Sequence, residues 1–262
     1  MNDTPERRPD QKPIKCVLVV GGQYHDNDYA RLELLKLLAE DDRIRVRVFE
    51  DYENIEAIQN TDILISYTCN VVPSEEAQNT IQNFVKSGGH YFALHSTNSA
   101  LEFLENGLVD APDSMPVMFD TLGTRFLTHP PIEPFTIRNA QPDHPLVKGI
   151  PETFTSGGEQ YLVETRADLE VLLDTEYDGE ASLEGFVYDD MPKERHPVFY
   201  IRRMDQGAVL YLTMGHCRGH YDMEPVLDWW PEIDRSGWEQ PIIYDLLRRG
   251  ITWVCEPTIA KF

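Results

Sequence analysis

The sequence predicts an α/β protein built on a mostly parallel sheet. Three observations carry that reading. Four short apolar runs alternate with three helical segments within about the first hundred residues, the pattern of consecutive βαβ units. The stretch Gly88 to Asn98 is a glycine pair ending a helix, a short apolar strand and a polar cluster led by His95. The chain has 262 residues, 41% hydrophobic and 26% charged, an ordinary soluble globular composition.

The elements follow in order. Ile14 to Val20 is a buried first strand that ends at Gly21-Gly22-Gln23-Tyr24-His25-Asp26. Asp28 is placed to cap a helix over Tyr29 to Ala39, in which Leu32, Leu35 and Leu38 recur at helical spacing. Arg43 to Phe49 alternates apolar residues with arginines, the period of a strand. A short helix over Asn54 to Gln59 and a strand over Ile63 to Tyr67 come next. Pro73-Ser74-Glu75-Glu76 starts a helix: serine caps it, and the acids lie near its positive end. Gly88-Gly89 stops that helix, and His90 to Leu94 is the fourth strand.

Leu104 to Pro134, rich in Pro, Gly and Asp, reads as a long excursion with short elements. Phe135 to Arg138 and Leu169 to Asp174 are strand-like. Pro197 to Arg203 and Ala208 to Thr213 form a hairpin around Asp205-Gln206-Gly207. A last helix spans Gln240 to Val254. Residues 1–12 are read as a flexible tail and 13–262 as a single domain.

Composition excludes several functions. The net charge of −22, from 45 acidic and 23 basic residues, disfavours nucleic acid and anionic membranes as partners. No run approaches the roughly 18 apolar residues of a membrane span, and the polar start carries no secretory signal. Four scattered cysteines without a CxxC pair suit reduced thiols in the cytoplasm. Neither GxGxxG nor a phosphate loop occurs, so no nucleotide cofactor is expected. Ser96 lacks the glycines of a nucleophile elbow.

Ligands of open α/β sheets bind outside the carboxyl ends of the strands. His25, His95 and His216 all follow predicted strands there, and Glu159 lies in a turn before an apolar segment. Histidines with a carboxylate suit a divalent metal such as zinc or manganese, with His25, His95, His216 and Glu159 as ligands. The same groups suit acid–base catalysis, with His95, Glu159 and His25 as the catalytic candidates. His220 is open to either a site or a structural role. His90, His129, His144 and His196 are expected to serve the structure, the last three as His-Pro turns. Tyr24, Ser96, Tyr161, Trp229 and Trp230 are candidate substrate contacts, because aromatic faces stack on sugar rings. Trp229-Trp230 reads as an exposed flap over a pocket or over a homodimer interface.

These pieces together resemble the ThuA-like (trehalose-utilisation) family. The resemblance runs from Gly-Gly-Gln-Tyr-His25-Asp26 through Gly88 to His95, Asp143 to Pro151, Glu159-Gln160-Tyr161 and His196-Pro197-Val198. It continues to Gly207 to Tyr211, Thr213-Met214-Gly215-His216 and Gly250 to Trp253. It implies a flavodoxin-like three-layer sandwich of the class I glutamine amidotransferase type. His95 stands where true amidotransferases carry a nucleophilic cysteine. The family usually has an Asp-Glu pair before the tyrosine, but here Gly158 precedes Glu159, which acts alone. The resemblance implies a carbohydrate-processing enzyme acting on a keto-sugar or glycoside. The alternatives are a non-catalytic sugar-binding or regulatory module, and a cofactor-free hydrolase using Ser96 or Cys217.

Overall fold

The computed structural model describes residues 12–259; of the expected tail only Lys12 falls within them. The elements are β1 (Ile14–Gly22), α1 (Asn27–Leu38), β2 (Ile44–Phe49), α2 (Ile55–Gln59), β3 (Ile63–Cys69), α3 (Glu75–Lys86) and β4 (His90–Leu94). Then come β5 (Glu102–Phe103), β6 (Val109–Asp110), α4 (Pro116–Leu122), β7 (Thr124–Thr128), β8 (Phe135–Asn139) and β9 (Thr153–Ser156). The chain ends with β10 (Leu162–Thr165), β11 (Glu170–Tyr177), β12 (Glu194–Met204), β13 (Gly207–Leu212) and α5 (Pro241–Ile259).

Nine strands form one sheet in the order β2-β1-β3-β4-β13-β12-β11-β8-β9. The first five are mutually parallel, and β12, β11, β8 and β9 extend the sheet in antiparallel fashion. The opening order 2-1-3-4 is the flavodoxin-like winding, whose binding crevice lies at the carboxyl ends of β1 and β3. Register aligns those ends: Gly22 pairs with Cys69, Tyr67 with Leu94, and Leu94 with Leu212.

Because side chains alternate across a strand, β1 feeds two cores. Leu18 and Val20 join one with Leu34, Phe92 and Leu246; Val17 and Val19 join the other with Ile81, Tyr91 and Met118. Helices α1 and α5 therefore cover one face and α2, α3 and α4 the other, giving three layers. Gly250 lets α5 press onto β4: a Cβ there would lie 2.3 Å from a Phe92 ring carbon.

Two local expectations change. Asp26, not Asp28, caps α1 by accepting from Tyr29 N–H at 2.9 Å. Asp28 instead pairs with Arg31. The buried stripe of α1 is Ala30, Leu34, Leu37 and Leu38, while Leu32 is 52% exposed. Leu32 shares helical spacing with Leu35 and Leu38, and several phases fit a helix this rich in leucine. The excursion from Leu104 to Pro134 contains α4 and β7, and β7 pairs with β10 in a separate two-stranded sheet. Among the described residues no helix is long and apolar enough to cross a membrane.

Candidate metal centre

Three adjacent parallel strands end in residues with positive φ: Tyr24 (69°) after β1, Asn70 (57°) after β3 and His95 (46°) after β4. This left-handed conformation is unusual for residues other than glycine and recurs at functional sites. At His95 it is held from two sides. The Tyr211 hydroxyl donates to the His95 carbonyl at 2.6 Å and accepts from Asn98 N–H at 2.8 Å. The imidazole lies between Tyr67 and Tyr161, nearly parallel to both.

Four side chains converge there. His25 Nε2 lies 2.9 Å from His95 Nε2. Glu159 Oε2 lies 3.6 Å from the first and 3.5 Å from the second. His216 Nδ1 lies 3.2 Å from Glu159 Oε1. All four residues are buried, and one ligand atom from each falls within 4.8 Å of the others. Donor atoms around a tetrahedral zinc, with bonds of about 2.0–2.2 Å, lie roughly 3.3–3.6 Å apart; the histidine–Glu159 separations of 3.2–3.6 Å match that spacing, and His25 and His95 stand closer to each other at 2.9 Å. An unpartnered buried atom fits such an ion too. His216 Nδ1, the ring nitrogen that faces Glu159, lacks a hydrogen bond of proper geometry.

The outer ring nitrogens are also consistent with metal ligation. His95 Nδ1 is 2.7 Å from the Thr213 carbonyl, which can only accept, so Nδ1 carries the proton and the Nε2 lone pair faces the cluster. His216 Nε2 lies 3.4 Å from Asp234, a carboxylate placed behind an imidazole as in many metal sites. Burial pushes His25 down to about 3 and lowers His216, against the opposing pull of Glu159, so it works against charge on both rings. Burial works against charge on Glu159, but His216, His129 and His25 beside it hold its carboxyl well below the usual range.

Beside the cluster lies a cavity of about 160 Å³. Tyr24, Phe103, Phe126, Tyr161 and Phe186 give it aromatic walls, and His25, His129, Glu159 and Arg218 supply polar atoms. His95 and His216 sit behind it. The Tyr161 hydroxyl is 3.3 Å from His95 Nε2, and Ser96 is buried next to His95. Trp229 and Trp230 do not line this cavity. Trp229 is 54% exposed and stacks on His220, while Trp230 packs against Arg218. His220, whose Nδ1 meets the Trp230 carbonyl, belongs to that flap and not to the cluster. Burial pushes the Cys217 thiol up to about 12, which disfavours a thiolate nucleophile.

His129 was expected to serve a turn, and its Nδ1 does meet the Pro130 carbonyl at 2.6 Å. Its Nε2, however, lies 3.5 Å from Glu159 and the ring lines the cavity. The available signal was a histidine directly after a strand, the same one that marked His95. It was missed because β7 was read as part of an irregular excursion. Arg218 and Asp234 carried no such signal. His90 stacks on Trp253, His144 accepts from Leu146 N–H and His196 accepts from Val163 N–H, as structural residues do.

The fold and the site define a class: a three-layer α/β sandwich with a buried imidazole–carboxylate cluster at the carboxyl rim of its sheet. The family model described as ThuA, trehalose utilisation, matches residues 16–230, most of the chain, and the chain belongs to that family. Two solved structures share the fold over nearly their whole length. One is a thua-like protein from Bacteroides uniformis, with TM-score 0.65 and 18% identity over 95% of this chain and 94% of that one. The other is a thua-like protein from Parabacteroides merdae, with TM-score 0.62 and 17% identity over 94% and 91%. A β-galactosidase from Rahnella sp. R3 contains a similar fold within a larger chain, with TM-score 0.54 and 14% identity over 94% of this chain and 31% of that one. No curated protein matches the sequence.

Proposed function

We propose that this protein is a carbohydrate-processing enzyme acting on a keto-sugar or glycoside, with His25, His95, His216 and Glu159 holding a zinc or manganese ion. One observation carries the proposal: four buried ligand atoms from distant loops lie within 4.8 Å of one another beside an aromatic-walled cavity. The family description, trehalose utilisation, directs that chemistry toward sugars.

A divalent ion bound there would polarise a substrate carbonyl or hydroxyl and acidify the neighbouring C–H. The chain's own groups do the rest. Glu159 and His129 Nε2 face the cavity and are the groups placed to take or return a proton. Arg218, with Nη2 3.4 Å from Glu159, steadies the carboxylate charge. Tyr24 and Tyr161 wall the cavity, exclude water and orient the ring. Ser96 is buried beside His95 and does not line the cavity.

Elemental analysis of untagged protein tests this reading. Near one zinc or manganese per chain is expected, lost on His95→Ala. Turnover of a keto-glycoside is expected to disappear in both His95→Ala and His216→Ala while circular dichroism is retained. Failure to take up metal on reconstitution overturns the metal role, and undiminished rates in both variants overturn the centre. Sugar binding by the wild type without turnover would make the fold a binding module instead.

A further inference from the structure

Two tyrosines flank the His95 imidazole, and their hydroxyls are differently engaged. Tyr67 donates to the Gly215 carbonyl at 2.9 Å, so its hydrogen is committed to the backbone. The Tyr161 hydroxyl instead meets His95 Nε2, at 3.3 Å. That acceptor is contested. With Nδ1 carrying its proton toward the Thr213 carbonyl, Nε2 has a single lone pair. His25 Nε2 stands closer to it, at 2.9 Å, and the same lone pair is the one that would ligate an ion. The Tyr161 ring also stacks on the imidazole, with ring centres 4.8 Å apart and planes 28° apart, so the hydroxyl meets Nε2 obliquely and not along the in-plane lone pair. The phenolic hydrogen is thus left for another acceptor.

The surroundings place that hydrogen beside the cavity. Tyr161 lines the cavity together with His25 and Glu159, two members of the cluster, so an oxygen that reaches the cluster from the cavity comes up beside the phenol. The residue is 4% exposed, and its ring is gripped between His95 and Phe126, whose ring centre is 4.6 Å away, which fixes the hydroxyl without a strong hydrogen bond. Glu159 and Tyr161 leave the same turn, just after Gly158 at φ 96°, so a carboxylate and a hydrogen-bond donor reach one space from one piece of backbone. A neutral, preorganised donor in a buried site acts most strongly on an oxygen whose negative charge grows during a reaction.

We propose that the Tyr161 hydroxyl is a catalytic hydrogen-bond donor to the keto oxygen of the substrate, a role that rests on the keto-sugar reading above. As the base facing the cavity takes the proton from the carbon beside the carbonyl, the C–H electron pair becomes a C=C bond and the carbonyl π pair moves onto oxygen. Tyr161 keeps its own proton and hydrogen-bonds that oxygen. The test compares the zinc-loaded wild type with Tyr161→Phe, which keeps the ring and removes the hydroxyl. The probe is a methyl keto-glucoside in deuterium oxide, with exchange of the hydrogen beside its carbonyl followed by NMR. Exchange is expected to slow about 10²–10³-fold in the variant. Zinc affinity in a chelator competition, and calorimetric affinity for methyl glucoside, which lacks the keto group, are expected to stay within about twofold of the wild type. Exchange within about threefold of the wild-type rate overturns the role of Tyr161 alone. A loss matched by an equal loss of zinc or methyl glucoside affinity overturns it too, because the hydroxyl would then only hold the site together. Wild-type protein that neither exchanges nor turns over the keto-glucoside overturns the keto-sugar reading, and this role with it.

Discussion

The strand ends of the parallel sheet and the longer loops around it deliver site residues by different means. His25 and His95 leave β1 and β4 directly, and those strands are held by ladders on both sides and by cores on both faces. Glu159 comes from the loop between β9 and β10, and His216 lies beyond β13 in a loop tied by side-chain contacts. Tyr67 donates to the Gly215 carbonyl at 2.9 Å and Trp238 Nε1 donates to it at 2.6 Å. Arg235 pairs with Asp26, so the residue that caps α1 also anchors the distant loop. The comparison teaches that rigid strand ends set half of the cluster, and a polar network brings the other half to it.

That division can be broken by substitution. The largest effect is expected in the parallel half. Phe92 is fully buried between β4 and α5, and Phe92→Ala should cost about 3–5 kcal/mol in denaturant unfolding. A cost below about 1 kcal/mol would mean that the strand is not the rigid partner. A smaller and different effect is expected across the join. Asp234→Asn, which weakens the support of His216 Nε2, should lower metal affinity roughly 10–100-fold in a chelator competition, with little change in the unfolding midpoint. Unchanged affinity would remove the flap from ligand positioning. The smallest effect is expected at Leu32 on the exposed face of α1. Leu32→Ser should shift stability by no more than about 0.5 kcal/mol, and a larger loss would show that this face is covered.

Much of the parallel half was legible. Most of its strands were recognisable as apolar runs closed by glycine or polar residues and β2 by its alternation of apolar residues with arginines, and β4 was read at its observed limits. The cap Ser74 follows the same local logic, accepting from Ala77 N–H. The region from β5 to β7 was not legible, because β5 and β6 are two-residue strands too short to show a period and β7 is held by a distant partner. That partner is β10, about forty residues on. His129 was hidden for that reason.

The sequence by itself determined the element types, the α/β class and the histidines at strand ends, because periodicity, caps and glycines report local burial and backbone freedom. Tertiary structure alone decided which of those histidines meet. His25, His95, Glu159 and His216 are brought together by sheet order and register, and His220, four residues from His216, is turned away into the flap. Strand register and loop packing depend on contacts between residues far apart in the chain, which no local pattern records.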